Sequence, residues 1–151
     1  MTLHYHYRLF QLNHPIVSLG GRWTRPRPVV SVTLIGPQDT RARVALLDSG
    51  ADDTLFPEQL AAQLGIDLTN APPAIGSGIG ARHVPVRYAE VRLRLFDGTE
   101  LREWPAWVGF TPARLTLPVL GFAGCLQFFT ATFRGDLEEV ELDTNRLYPG
   151  T

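Results

Sequence analysis

The residues of this chain best suited to chemistry lie in the segment Asp48-Ser-Gly-Ala-Asp-Asp53. This segment follows the apolar run Val44-Ala-Leu-Leu47, which predicts a strand buried on both faces because it has no polar alternation. The strand would carry the Asp48 carboxylate to a buried end, where an ionised carboxylate is costly unless it is paired, hydrogen-bonded or protonated. Gly50 permits a tight turn there. We interpret Asp48 as a candidate catalytic group.

Two other roles are open to these acids. Most Asp-Ser-Gly tripeptides form a turn after a core strand, in which the carboxylate only caps the main chain. Metal binding is a poorer alternative, because the three acids lack the alternating oxygen ligands and terminal glutamate of a calcium loop. His4 and His6 share one face of a predicted strand, without further ligands beside them, and indicate a solvated face. We expect no metal and no cofactor.

Composition restricts the class of protein. A chain of 151 residues with 44% hydrophobic content can form a single domain, 1–151, and is short for two. The net charge is −1 and the 14 basic residues are dispersed, so we expect neither nucleic acid nor a membrane as a partner. No apolar run approaches the roughly 20 residues that cross a bilayer, and the N-terminus lacks a signal-peptide layout. The single cysteine, Cys125, fits a cytoplasmic protein and a small buried residue.

Most of the remaining chain predicts strands. Alternation over Leu3–Leu9 predicts a half-buried strand, and Val29–Ile35 with Arg41–Leu47 predicts a hairpin that leads into Asp48. Arg22–Pro28, rich in proline and arginine, predicts a loop. Pro57–Leu64, with glycine just beyond its end, predicts a short helix.

A second notable stretch is Ala74–Gly80, in which glycines and a serine separate two isoleucines. Extended, alternating residues flank it, which predicts a hairpin with a glycine-rich tip. A phosphate-binding loop is not expected, because no strand-then-helix context surrounds the glycines. An ordinary flexible loop is the structural alternative.

These segments together resemble the retropepsins, the retrovirus-type aspartic proteases. Leu46–Leu55 is similar to their active-site loop, an apolar pair followed by Asp-Thr/Ser-Gly-Ala. Ile75–Gly80 is similar to the tip of their flap, and Val119–Gly121 to the segment that packs beneath their catalytic loop. The resemblance covers the order of segments over Arg27–Leu142, with residues 1–26 as an N-terminal extension. The absence of lysine favours a bacterial member of the family.

The resemblance implies a mainly β fold, the closed β-barrel of acid proteases with one or two short helices and a flap hairpin. It implies a hydrolase, an aspartic endopeptidase that acts on a peptide or protein substrate as a homodimer. The catalytic residues would be Asp48, Ser49 and Gly50. Substrate would contact Ala51, Asp52, Asp53, Ile75, Gly76, Ser77, Gly78, Ile79, Gly80, Val119 and Leu120. The dimer interface would include Arg27 and Asp52.

The homodimer follows from the number of catalytic motifs. Aspartic protease chemistry needs two carboxylates that share one proton. The chain has one Asp-Ser/Thr-Gly, and Asp143-Thr-Asn145 lacks both the glycine and a preceding buried strand. A second copy must therefore supply the second acid.

The sequence departs from the family in two respects. The family usually places an arginine after the late glycine, paired with the first acid beyond the catalytic turn, whereas Phe122-Ala-Gly124 stands here. We expect Arg27 to take over the pairing with Asp52. A catalytically weak or inactive peptide-binding or dimerisation module is the alternative function. The chain also extends past a minimal retropepsin at both ends, so its own hairpin is a candidate replacement for the family's intermolecular terminal sheet.

Overall fold

The computed structural model of the chain describes residues 1–77 and 83–151, which form three sheets, one α-helix and two short 3₁₀ helices, Val17–Leu19 and Leu126–Phe128. In chain order the elements are β1 (Leu3–His6), β2 (Arg8–Ile16), β3 (Arg22–Arg27), β4 (Val29–Ile35), β5 (Thr40–Leu47), β6 (Leu55–Pro57), α1 (Glu58–Leu64), β7 (Pro73–Ser77), β8 (His83–Phe96), β9 (Leu101–Thr111), β10 (Val119–Leu120), β11 (Phe129–Arg134) and β12 (Glu139–Thr144).

The largest sheet closes into a ring. Its strand order is β4-β5-β10-β6-β9-β8, and an additional pairing of β4 with β8 joins the two ends. β7 pairs only with β8 and so extends from the ring as one arm of a hairpin. The expectation of a mainly β, closed barrel is confirmed. Closure removes the free edges that an open sheet would expose.

Alternating side chains fill the ring. Val30, Val32 and Leu34 of β4 are buried and form one cluster with residues of β5, β8 and β9. This alternation is the period of two expected for a strand with one face in the core. Trp104 of β9 is fully buried, and its indole Nε1–H donates to the Gly124 carbonyl at 2.8 Å.

Helix α1 covers one part of this core. Leu60, Ala61 and Leu64 are buried, as the sequence predicts. The helix ends at Gly65, whose φ of 79° places it in the left-handed region that favours glycine. Among the described residues, no helix has the length and apolar character needed to span a membrane.

The two termini meet in a second sheet of order β1-β12-β11. Leu3 pairs with Leu142, and both belong to the same buried cluster as the barrel residues. His4 and His6 lie on the exposed face, opposite Glu141 and Glu139. The terminal strands thus pair within one chain.

The prediction of a loop over Arg22–Pro28 is wrong. Arg22–Arg27 is β3, which pairs with β2 in a separate two-stranded ribbon. Pro26 lacks an N–H, but each strand of such a ribbon has an unpaired edge where no donor is required. The Arg27 guanidinium lies over the Phe10 ring, 5.5 Å from its centroid.

Burial has a chemical consequence for the cysteine. Cys125 is fully buried, and this burial raises the pKa of its thiol to about 12. The thiol therefore stays protonated near neutral pH, where a thiolate would be the reactive form. The prediction of a small buried residue at this position is confirmed.

Shared packing predicts that the terminal sheet and the barrel unfold together. Replacing the fully buried Leu3 with alanine should lower the free energy of unfolding by about 2–5 kcal/mol, because it removes core contacts and leaves a cavity. The matched control is Leu9→Ala, which should lower the free energy of unfolding much less, because Leu9 is 56% exposed. Urea denaturation followed by tryptophan fluorescence measures both. Equal stabilities for the two variants would show that the N-terminal strand is not part of the cooperative core.

Candidate active site

The turn that carries Asp48 begins where β5 ends. The Asp48 N–H donates to the Leu120 carbonyl at 3.1 Å, and its side-chain Oδ1 accepts from the Gly50 N–H at 2.9 Å. The Ala51 N–H donates to the Asp48 carbonyl at 3.2 Å and closes the turn. Asp48 is half-buried, whereas Ser49 and Gly50 are exposed. A β-carbon at Gly50 would lie 3.3 Å from Asp48 Oδ1, so glycine leaves that carboxylate undisturbed.

Strand β10 fixes both ends of this turn. It runs parallel to β5, with Val119 beside Leu46 and Leu120 beside Leu47. It is also antiparallel to β6, with Val119 opposite Leu55. The strands before and after the turn are therefore tied to the same short strand, and both pair with Val119. Because the connecting hydrogen bonds come from distant parts of the chain, the turn cannot move without disturbing the barrel.

Close approach of the chain after β10 holds the middle of the turn. A β-carbon on Gly121 would lie 2.2 Å from the Asp53 carbonyl oxygen and 2.7 Å from that of Ala51, so only glycine fits. The Gly121 N–H donates to Oγ1 of the fully buried Thr54 at 3.2 Å. A buried hydroxyl and a buried N–H thus satisfy each other.

The two residues after Gly121 continue this contact through their main chain. The Phe122 N–H donates to the Ala51 carbonyl at 2.9 Å, and the Ala123 N–H donates to the Asp52 carbonyl at 2.8 Å. The Thr54 N–H donates back to the Ala123 carbonyl at 3.1 Å. These bonds do not depend on side-chain identity, so they persist with phenylalanine and alanine at these positions.

The side chain of Asp53 has a partner from the barrel. The Tyr88 hydroxyl donates to Asp53 Oδ2 at 2.8 Å. Burial raises the pKa of the Tyr88 phenol to about 12, with further contributions from the hydrogen bond to Asp53 and from its negative charge. Tyr88 lies opposite Gly109, whose N–H donates to the Thr54 carbonyl at 2.8 Å. Strands β8 and β9 thereby hold the second half of the Asp48 turn.

Comparison with known proteins identifies the family to which this site belongs. The sequence model of a family described as aspartyl protease matches residues 17–122. The chain belongs to the aspartyl protease family. A solved retropepsin-like aspartic protease from Rickettsia conorii has a similar structure, with a TM-score of 0.52 and 18% sequence identity, over 76% of this chain and 89% of that chain. No curated protein matches the chain. The family expected from the sequence and its fold are both confirmed.

In this aspartyl protease, the structure brings together part of the predicted site. Residues 48–53, Val119 and Leu120 form one continuous unit. Ile75, Gly76 and Ser77 belong to β7 and pair with Pro85, Val84 and His83 of β8. Gly78, Ile79 and Gly80 lie outside the described residues.

The predicted pairing of Arg27 with Asp52 does not occur within one chain among the described residues. Asp52 is exposed, and Arg27 lies over Phe10 instead. The predicted pairing crosses between two copies, so it stays a prediction. Asp143, the other candidate acid, lies in β12 of the terminal sheet and accepts a hydrogen bond from the Thr2 hydroxyl.

Sequence reasoning missed Thr54 and Tyr88. Thr54 stands next to a recognised motif, and an uncharged polar residue just before the apolar pair Leu55-Phe56 was a local signal for a buried hydroxyl. Tyr88 carried no comparable signal. Its contact with Asp53 depends on the register of β8 against β9 and on how β9 pairs with β6.

The hydrogen bond between Tyr88 and Asp53 predicts a measurable effect of Tyr88→Phe. The variant should lose about 1 kcal/mol of unfolding free energy, because Asp53 loses a donor in a partly exposed position. Chemical denaturation near pH 7 measures this loss. Asp53→Asn is the companion variant, since it retains an acceptor and removes only the charge.

The same bond predicts behaviour at high pH. The phenol has a higher pKa in the folded state, about 12, than its ordinary value of 10, so its contribution to stability is complete below pH 10. This contribution is lost as the pH rises from 10 towards 12. Tyr88→Phe should therefore lose less stability than the unmodified protein across that interval. Identical slopes for the two proteins would contradict the assignment of Tyr88 as the titrating donor.

Proposed function

We propose that this protein is an aspartic endopeptidase in which two copies of the chain each contribute Asp48 to one catalytic dyad. The observation that carries the proposal is the position of the Asp48 carboxylate. It is half-buried, it accepts a hydrogen bond from the Gly50 N–H, and it sits on a turn fixed at both ends by β10. A carboxylate held in this manner can be aligned with a symmetry-related copy.

The chemistry follows from like charges at close range. Two neighbouring carboxylates cannot both ionise easily, so the pair retains one proton over a wide pH range. The ionised member acts as a base that removes a proton from water, and the protonated member donates a hydrogen bond to the carbonyl oxygen of the peptide. The activated water then attacks the carbonyl carbon, and the C–N bond breaks as the dyad returns a proton to the leaving amine nitrogen.

Homodimerisation is proposed because one chain offers no second acid of the right kind. The sequence contains one Asp-Ser/Thr-Gly. Asp143 lies in a sheet whose strands do not pair with β5, β6 or β10. Its carboxylate accepts a hydrogen bond from the Thr2 hydroxyl. If a two-fold axis passes beside Asp48, the Asp48 of a second copy supplies the missing carboxylate, and the chain needs no second motif.

Other residues take roles that fit their positions. Ser49, exposed beside Asp48, would brace the two turns, and Gly50 would approach the substrate main chain. Asp52, also exposed, would pair with Arg27 of the second copy or hold substrate. The hairpin of β7 and β8 would cover the bound peptide.

A second candidate function is a peptide-binding or dimerisation module with weak or no hydrolysis. The observation that favours it is Phe122, which stands where the family usually has an arginine. Main-chain bonds from Phe122 and Ala123, together with Tyr88, nevertheless hold the turn. We therefore prefer the enzyme.

Replacing the catalytic acid tests the proposal. Asp48→Asn should lower the rate of peptide cleavage by about 10²–10⁴-fold, because an amide cannot act as the base. Cleavage of a peptide library at acidic to neutral pH, read by mass spectrometry, measures the rate. Asp143→Asn is the matched control and should cleave normally. Equal cleavage by Asp48→Asn and the unmodified protein would remove Asp48 from the mechanism; binding of a statine-type inhibitor without cleavage would favour the second function.

Mixing the two proteins tests the shared dyad. If each dimer needs two Asp48 residues, equal amounts of unmodified and Asp48→Asn chains should leave about a quarter of the dimers fully active after random exchange. The same mixture with Asp143→Asn should keep full activity. Activity that falls only to one half would indicate that each chain works independently, which would contradict the proposed dimer.

A further inference from the structure

A surface groove of about 470 Å³ opens next to the Asp48 turn. Its walls are mostly apolar, and they also include two arginines. The lining side chains that matter here are Leu46, Leu115, Leu117, Val119, Arg27 and Arg114. None of the described lining residues is acidic. The groove therefore combines an apolar surface with positive charge.

The groove is close to the candidate catalytic acid because its lining residue Leu46 lies near Asp48 in the chain. β5 ends at Leu47, so Leu46 precedes Asp48 by two residues, which is roughly 7 Å of extended chain. Val119, directly beside Leu46, forms the same wall. A peptide bound over Asp48 would thus place the side chain next to the cleaved bond in this groove.

Hydrogen bonds anchor both arginine-bearing segments beside this wall. The Leu47 N–H donates to the Pro28 carbonyl at 2.9 Å, which holds the end of β3 and so Arg27 against β5. The Leu46 N–H donates to the Pro118 carbonyl at 2.8 Å, which holds the end of the segment that begins with Arg114. The main chain that flanks both arginines is thus tied to β5.

The charges of the groove have no acidic partner among the described residues of the chain. Arg114 is exposed, and Arg27 is half-buried over the Phe10 ring; neither forms an ion pair there. From Arg8 to Arg27 the sequence has four arginines and no acid, and in the described part of the chain only Arg22 of these is paired, with Glu138. Guanidinium groups stay charged at all relevant pH values and match carboxylates geometrically.

From this we infer that the groove is a specificity pocket for an acidic substrate side chain, glutamate above all, next to the cleaved bond. The inference rests on the proposed function. Glutamate fits because its methylene groups can pack on Leu46 and Val119 while its carboxylate reaches Arg114, which stays available when Arg27 pairs with Asp52 of the second copy. In a two-fold dimer the groove occurs twice, so acidic residues are preferred on both sides of the bond.

Matched peptides test the pocket. A cleaved sequence from the library is made with glutamate or with glutamine at each position next to the cleaved bond. The unmodified protein should show a kcat/KM about tenfold or more higher for glutamate, because hydrogen bonds between charged groups are stronger than neutral ones. In Arg114→Gln this ratio should fall towards one. Arg146→Gln, an exposed arginine that does not line the groove, should keep the full ratio.

Charge reversal distinguishes specific recognition from damage to the fold. Arg114→Glu should shift the preference from glutamate to lysine at the same position, which a merely destabilised protein would not do. Arg27→Gln is a weaker probe, because Arg27 also packs on Phe10 and is proposed to reach the interface. A ratio near one in the unmodified protein would overturn the pocket while leaving the protease function intact.

Inhibitor binding tests the specificity pocket without requiring cleavage, and so separates it from the protease proposal. Statine-type inhibitors that carry glutamate or glutamine next to the statine are titrated by calorimetry. Tighter binding of the glutamate compound, lost in Arg114→Gln, would support the pocket even if no peptide were cleaved and the protease proposal failed. Equal binding of the two compounds would overturn the pocket, and binding of neither would count against both proposals.

Discussion

The site depends on the close approach of Gly121 to the carbonyl groups of Ala51 and Asp53, where a single added methyl group would collide with both. This contact lets β10 enter between β5 and β6. Two buried strand ends and the turn between them then share one set of hydrogen bonds. Breaking the bond between the buried Gly121 N–H and Thr54 hydroxyl would leave an unsatisfied buried group. The rigidity of Asp48 is thus a property of the barrel rather than of its own loop.

The chain has Phe122 where the resemblance to retropepsins leads us to expect an arginine, and it holds the acids after Asp48 by other contacts. An ion pair requires two charges to be desolvated together, and this cost offsets much of its attraction. Here a neutral phenol, Tyr88, donates to Asp53, and its raised pKa keeps the proton in place through the physiological range. Main-chain N–H groups of Phe122 and Ala123 bind the remaining carbonyls. The turn therefore keeps its anchors although the arginine is absent, and Asp52 remains exposed for another partner.

Local patterns in the sequence were sufficient for β4, β5 and α1, since alternation, apolar runs and a terminal glycine determine these elements almost independently of context. The segment 48–53 could also be recognised, because its chemistry is contained in consecutive residues. Arg22–Arg27 was misread, because proline argues against a strand only when the strand has partners on both edges. Tyr88 could not be found, because its distance from Asp53 follows from the register of three strands. The errors occurred where pairing between distant segments outweighs local propensity.

The terminal sheet limits where a second copy can bind. β1, β11 and β12 pair with each other inside one chain, so the termini already have partners. If two Asp48 residues meet on a two-fold axis, the residues nearest to them must lie at or close to the interface. Phe122 directly follows Gly121 and is 59% exposed in the single chain. Burial of an exposed phenylalanine against a second copy is favourable, because it removes apolar surface from water. In the proposed dimer, Phe122 would then add apolar contact at a position where the resemblance to retropepsins leads us to expect a charged arginine.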